Sequence, residues 1–533
     1  MQALGLFPAL DSGLIELDYP RASVDAEPDP SSKDNAIGGL FVVQDPPVII
    51  GIRSAVGHRA TIVDTRNYVD ASMGELASWV GHDRLPVELS AVGGPRAIER
   101  LSRDCQIVRE YLLRLIDLWH ENDFGMWRWT VGGLSLGAFR HRLMPYPPQV
   151  HDDVGVRALE REGYKGGELL VPFVGTVSDT SYVVDVTSLY PHVMRCNLYP
   201  VKLIDYVELK EWHKGPPPGE PLSQLAEVAI DAGDEPATIK TASGSLRVCG
   251  RYVTTLCGPE LDRACADGWV IGWRKLANYS MQPIFREFVD TLWPLRHKYL
   301  EAGDSLGAKF IKLLLVSLYG KFGQYGYKMT PRPDKIAPRK WQQWREIDAV
   351  TRDCNSYLSI GERVYQESKG DNHPMAAVAI SAWVTSYGRE YMRQLRSLAG
   401  PGHWFYQSTD SLILDLAGLL NLRNLGLIGP MELGRLRVEH QGENTQIDGA
   451  HDYRIGNYRV VGWRSAKAIE SEPGTWIQEE TESLRLACRH SPSDGAIVNE
   501  QRKERHDSGL VGKIGENGWT SPIFLDCLPP SLR

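Results

Sequence analysis

Short apolar runs alternate along the chain with longer stretches of helical spacing, which predicts a mixed α+β protein. "GGLFVVQDPPVIIGI" and "TIVDTRNYV" read as strands. In "RAIERLSRDCQIVREYLLRLIDLWHEN" the positions Ile107, Tyr111, Leu112, Leu115, Ile116 and Trp119 recur at helical spacing. Tyr182 to Val186 form a β-branched strand that delivers Asp185 at its end. The chain then turns through Thr187-Ser188-Leu189-Tyr190, and Pro191 can open a helix. In "AKFIKLLLVSLYGKFGQYG", Lys312, Val316, Tyr319 and Gly323 share one helix face, while Leu313, Leu314 and Leu318 turn toward a core. "GHWFYQSTDSLILDL" predicts a hairpin with the polar knot Ser408-Thr409-Asp410-Ser411 at its tip.

A length of 533 residues implies several domains, and 42% hydrophobic with 24% charged residues marks a folded globular chain. No apolar run approaches the ~20 residues that span a bilayer. The N-terminal stretch turns acidic without a basic segment, which argues against a secretory signal. Eight scattered cysteines without a C-x-x-C pair read as reduced, mostly buried thiols of a cytoplasmic protein. The net charge of −8 argues mildly against nucleic-acid binding. Residues 1–35 carry seven acidic against two basic residues, so the rest is near neutral and leaves room for a basic cleft.

Candidate chemistry sits in the polar interruptions. A carboxylate beside a turn whose N–H groups cradle anions repels phosphate unless a divalent metal lies between. A strand-end Asp185 and a hairpin-tip Asp410 could meet on one sheet and hold two Mg2+ ions about 3.5–4 Å apart for in-line attack on phosphorus. Lys312 and Tyr319, with Gly320 removing a side chain beside them, could serve a phosphate and a flat base. Each segment also has an ordinary reading. Thr, Asp and Ser are common turn residues, and a lysine can snorkel from an amphipathic helix.

The order of the motifs narrows these alternatives. D-x-x-S-L-Y-P, then K-x-x-x-(N)-S-x-Y-G, then Y-x-(D)-T-D-S resembles the family B DNA polymerases, and "KLLLVSLYGKFG" resembles their small protein-primed phage and plasmid branch. "GYKGGE", from Gly163 to Glu168, is similar to the Y-x-G-G element that precedes the palm. "AAVAISAWVTSYGREYMRQL" resembles the long helix between the second and third motifs, "IDGAHDYRIG" sits at the K-x-Y position, and "RSAKAI" resembles the following Lys-Gly segment. The resemblance covers residues 36 to 470. It implies an α+β right-hand polymerase: a palm with an antiparallel sheet, helical fingers and a short thumb, preceded by a truncated exonuclease-like α/β domain. The implied division is an acidic leader (1–35), a partial, inactive 3′–5′ exonuclease-like domain (36–155), palm and fingers (156–470) and a thumb or C-terminal region (471–533).

The implied activity is template-directed DNA synthesis, adding deoxynucleotides to a DNA 3′ end or a protein primer by two-metal phosphoryl transfer. Asp185 and Asp410 would be the catalytic, metal-binding carboxylates, with the Val186 carbonyl as a further ligand. Ser188 and Leu189 would offer amides to the triphosphate, and Tyr190 would stack under the sugar and exclude a 2′-hydroxyl. Lys312, helped by Arg296 or Lys298, would pair with phosphates, and Tyr319 would line the nascent base pair. Tyr164, Gly166, Gly167, His451, Tyr453 and Lys467 would contact DNA. Implied cofactors are two Mg2+ ions, with Mn2+ as an alternative. Implied partners are primer–template DNA, deoxynucleoside triphosphates and a terminal protein, with no membrane, in a bacterial, phage or plasmid cytoplasmic setting.

Departures from the pattern keep a second reading alive. Ser408 stands where the family has its first motif-three aspartate, Val316 replaces an asparagine, and the K-x-Y lysine is His451. Of the exonuclease motifs only Asp25-Ala26-Glu27, in a Pro-rich stretch, and Arg100-x-x-x-Asp104, without its tyrosine, are present, which implies lost proofreading. The second reading is a catalytically weakened homologue that binds nucleic acid or acts in regulation or defence. The long Tyr319-to-Asp410 interval contains "YGYKMTPRPDKIAPRKWQQWREID", either the extra element of protein-primed relatives or a surface loop. Its basic and aromatic residues could contact nucleic acid.

Overall fold

The β-branched run around Val183 forms the strand Ser181–Val186, the second strand of a five-stranded sheet. In spatial order the sheet runs Leu436–Gly442, Ser181–Val186, Ser411–Leu414, Trp404–Ser408, Leu169–Leu170, with every neighbouring pair antiparallel. Val183, Phe405, Tyr406 and Ile413 pack into one core with Ile447, Tyr453 and Ile455 of the adjoining hairpin. The computed structural model describes residues 15–17, 37–43, 48–53, 59–83, 95–233, 237–241, 244–337, 341–347, 354–360, 363–372, 376–429, 431–461, 469–472, 475–481, 498–504 and 512–532.

The chain divides into two units, each assembled from separate stretches. One comprises 144–290, 377–479 and 500–533. Besides the five-stranded sheet it holds a larger sheet built on Tyr199–Lys214, Gln224–Asp231, Gly244–Cys257 and Val270–Gln282, which Thr520–Asp526 joins in parallel with Gly244–Cys257. The helix Val378–Ala399 is buried around most of its circumference, as an interior helix is, and several of its buried residues are polar or charged. It packs against Val154–Gly163, Leu189–Cys196, Gly258–Ala266 and Leu416–Asn424.

The other unit comprises 1–143, 291–376 and 480–499. Its helices include Met73–Val80, begun by a reciprocal Ser72–Glu75 capping box, then Pro95–Glu121, Val131–Arg142 and Ser305–Phe322. A four-stranded antiparallel sheet follows, in the order Tyr325–Pro331, Arg363–Asn372, Cys354–Ile360, Trp341–Ile347. Among the described residues no helix is long and apolar enough to cross a membrane.

Several local expectations change. "TIVDTRNYV" is a strand only through Val63, because Asp64 caps a short 3-10 turn over Thr65–Asn67. The helix expected at Pro191 begins two residues earlier, at Leu189. Gly323 lies past the end of the Ser305–Phe322 helix as its cap, and Leu313 is half-buried while Leu315 takes a core position. The basic stretch after Tyr325 is not a loop but contributes two strands of the four-stranded sheet. Of the described cysteines only Cys249 and Cys257 are buried; Cys105, Cys196 and Cys527 are exposed, so burial is not their rule.

A charged cluster lies inside the first-described unit. Arg389, 3% exposed, is forked onto Glu260 at 2.8 and 2.6 Å, and Lys165, 2% exposed, donates to Thr254 at 3.3 Å. Burial pulls the Lys165 ammonium down to about 8 from 10.5, against the pull of Glu260. The unfolded chain therefore holds this proton through a window, from about 8 to 10.5, where the folded chain has released it. Stability from this site is lost as pH falls through that window and regained as pH rises. Denaturant unfolding should show wild type gaining about 1–3 kcal/mol relative to Lys165→Met between pH 8 and pH 10. A constant difference across that range contradicts it.

Candidate active site

The strand pairing Ser408↔Ser411 leaves Thr409 and Asp410 as a two-residue turn. Thr409 has φ +51°, a left-handed conformation that is costly for a β-branched side chain. Three hydrogen bonds to main-chain oxygens hold it there. Thr409 N donates to Glu168 O at 2.8 Å, Asp410 N donates to Ser408 O at 2.7 Å, and Ser411 Oγ donates to Ser408 O at 3.1 Å. The turn is fixed to the next strand because Val186 N donates to Asp410 O at 2.8 Å, while Ser411 lies opposite Asp185. Asp185, on its strand, and Asp410, in the turn of the adjoining hairpin, are both half-buried and therefore stand at the same end of the sheet.

The turn after Asp185 is equally constrained. Ser188 has φ +57° and ψ +62°, so the helix Leu189–Cys196 begins from a left-handed residue and leaves its first N–H groups at the site. Thr187 is held from both sides: its N donates to Arg435 O at 2.8 Å, and Gly434 N donates to its O at 2.9 Å. Tyr391 of the long helix donates its hydroxyl to Gly434 O at 2.6 Å. Tyr190 is half-buried between two glycines. A Cβ on Gly388 would lie 3.2 Å from its ring, and one on Gly167 would lie 3.1 Å from its hydroxyl and 2.8 Å from Thr409.

Ser408 belongs to a polar chain under the hairpin. Its hydroxyl shares a hydrogen bond with Tyr406, whose hydroxyl also accepts from His451 N at 3.0 Å. Burial pushes the Tyr406 hydroxyl up to about 12. Tyr453, 7% exposed, tilts against Tyr406 at 5.1 Å between ring centroids, so its ring is a core element. Burial raises its hydroxyl, and the charge of Asp185 adds to the shift.

With this geometry in place, likeness to known proteins is informative. The family described as DNA polymerase type B, organellar and viral, matches residues 95–330. The DNA-directed DNA polymerase of Enterobacteria phage PRD1 is 25% identical over 368 residues, covering 67% of this chain and 59% of that protein. A probable DNA polymerase of Podospora anserina is 26% identical over 293 residues, covering 48% of this chain and 22% of its own length. The chain thus spans less than two thirds of either relative. Phi29 DNA polymerase with primer-template DNA has the same fold, with a TM-score of 0.58 at 16% identity over 94% of this chain and 81% of that one. Its complex with primer-template DNA and incoming nucleotide gives 0.55 at 16% identity, over 91% and 79%. Over residues 95–330 the chain is thus similar to the type B DNA polymerases.

The motif residues divide between the two units. Asp185, Val186, Ser188, Leu189, Tyr190, Tyr164, Gly166, Gly167, Asp410, His451 and Tyr453 lie in one. Arg296, Lys298, Lys312 and Tyr319 lie in the other. There Lys312 is exposed, Tyr319 and Val316 are half-buried, and Arg296 lies over the Trp293 ring at 5.2 Å. His451 is exposed with φ +53°, and Gly166 and Gly167 are exposed beside half-buried Tyr164. Lys467 falls outside the described residues. Sequence reasoning passed over Gly388, Arg389, Arg396 and Gly434. The spacing of Arg389 and Arg396, seven residues and so about two turns apart on one helix, was the available signal.

Gly434 offers a direct test of the Thr187 anchor. It has φ +83°, and an added Cβ would lie 2.2 Å from Nδ1 of His192. Gly434→Ala should cost at least about 2 kcal/mol of stability, combining left-handed strain with overpacking. Thermal unfolding checks this, and an unchanged melting temperature contradicts the anchor.

Proposed function

We propose that this chain acts as a family B DNA polymerase, carrying out template-directed DNA synthesis by phosphoryl transfer and adding deoxynucleotides to a 3′ end. The observation that carries the reading is that Asp185 on its strand and Asp410 in the adjoining hairpin turn share one end of the sheet, tied by the Val186–Asp410 main-chain bond. Tyr190 and the start of the Leu189–Cys196 helix lie at the turn that follows Asp185. Primer–template DNA and deoxynucleoside triphosphates are the proposed partners. A terminal protein acting as primer, and a bacterial, phage or plasmid setting, are consistent with the resemblance to protein-primed polymerases.

The donor set suits Mg2+. Among the described residues no group of three or more His, Cys, Asp or Glu side chains could hold a metal ion. Asp185 and Asp410 with the Val186 carbonyl are a sparse oxygen set, of the kind that leaves room for substrate phosphates. When bound, the ions would supply charge neutralisation on phosphate and acidify the attacking hydroxyl. The chain's own residues do the rest. The amides of Leu189 and Ser188 bind phosphate oxygens, Tyr190 takes the sugar against its ring, and the left-handed Ser188 and Thr409 hold both carboxylate-bearing turns in register. Lys312, Arg296 and Lys298 are the proposed cations for the triphosphate, and Tyr319 the proposed surface for the base pair.

Proofreading is proposed to be absent. Asp104 forms an i,i+4 ion pair with Arg100 at 3.8 Å within the helix Pro95–Glu121, and Asp25 and Glu27 lie outside the described residues. The reading of a weakened homologue keeps one specific support. Ser408 is built into the Tyr406–His451 chain, where an aspartate would face a buried hydroxyl.

Primer extension with Mg2+ separates the two readings. Wild type should extend a templated primer, and Asp185→Asn and Asp410→Asn should each lower the rate by about 10³-fold or more while primer–template binding persists. Extension near the wild-type rate by either variant contradicts the site. Full binding with no extension by wild type favours the weakened homologue.

A further inference from the structure

We propose that the buried Glu260–Arg389 pair is a positioning device for sugar selection, acting through the Gly166–Gly167 loop on Tyr190. The proposal rests on the reading of Tyr190 as the barrier to a 2′-hydroxyl. Each nitrogen of the Arg389 guanidinium donates a hydrogen bond. Nε and Nη2 meet the Glu260 carboxylate at 2.8 and 2.6 Å, and Nη1 donates to the carbonyls of Lys165 and Gly166 at 2.9 and 2.7 Å. About two turns along the same helix, Arg396 reaches the Glu168 carboxylate at 3.3 Å and also bonds Gln407 on the hairpin strand. The two arginines thus grip the loop at both ends, and the loop passes its position on. Glu168 O accepts from Thr409 N at 2.8 Å, and Gly167 is so close to Thr409 and the Tyr190 hydroxyl that no Cβ fits without displacing them.

The same helix closes the opposite side of the ring. Gly388 precedes Arg389, and a Cβ there would press on the Tyr190 ring at 3.2 Å. One helix therefore sets both the floor of Tyr190, through Gly388, and the contact at its hydroxyl, through Arg389 and the loop. A buried ion pair adds little stability over well-packed apolar residues. Its use here is geometric: a planar fork that captures a carboxylate and two carbonyls fixes the loop in a way that a lysine cannot.

The test uses the full chain with 3-fluorotyrosine at position 190 and, in parallel, unlabelled enzyme. In Arg389→Lys the fluorine resonance should shift or broaden, and the ratio of deoxyribonucleotide to ribonucleotide kcat/KM should fall about tenfold. Tyr190→Ala should lose the same preference, and combining it with Arg389→Lys should lose no more, a coupling that a purely structural role would not give. Gly167→Ala perturbs the same contact from the loop and replaces Arg389→Lys if that protein does not fold. An unmoved resonance in folded Arg389→Lys, or an unchanged nucleotide preference in folded Arg389→Lys or Gly167→Ala, overturns the proposal in an active enzyme. A wild-type chain that incorporates neither nucleotide class fails the polymerase reading itself, and sugar selection falls with it.

Discussion

The hydrogen bond from Val186 N to Asp410 O fixes how two like charges can be kept side by side. Carboxylates on a strand and on the turn beside it repel, and nothing in their own chemistry holds them together. The main chain supplies that hold. Antiparallel pairing sets Ser411 opposite Asp185, so the hairpin tip cannot move without breaking sheet register. Both adjoining turns are kept in left-handed conformations, at Thr409 and Ser188, that the surroundings must enforce. The Glu168 carbonyl, the Arg435 and Gly434 main chain, and the buried arginines of the long helix provide that enforcement.

Much of this was legible in the sequence because it is local. A β-branched strand ending in Asp185, a hairpin with Thr409-Asp410 at its tip, and an amphipathic helix carrying Lys312 and Tyr319 follow from residue pattern, and all three form. The ordered motif wording carried the resemblance to family B DNA polymerases. What remained hidden depends on distant partners. That Arg389 meets Glu260, 129 residues earlier, cannot be read from either neighbourhood. Gly388 reads as a weak point in a helix until Tyr190 is seen against it. The interleaving of each unit from three stretches of chain likewise has no local signature.

Tyr453 and Ser408 illustrate a different limit. A tyrosine in a K-x-Y-like position is expected to face DNA, yet its ring is spent on the core against Tyr406. Ser408 looks like a simple loss of charge in sequence. In the fold it is part of a hydrogen-bonded chain with Tyr406 and the His451 main chain, so the substitution and its surroundings form one packing unit.

Template direction is the central claim, and single-nucleotide incorporation tests it most directly. Four primer–templates differing only in the templating base are each offered one deoxynucleotide at a time with Mg2+. The account predicts that each template accepts its complementary nucleotide far more efficiently than the other three. Incorporation that ignores the templating base, or none on any of the four, contradicts it.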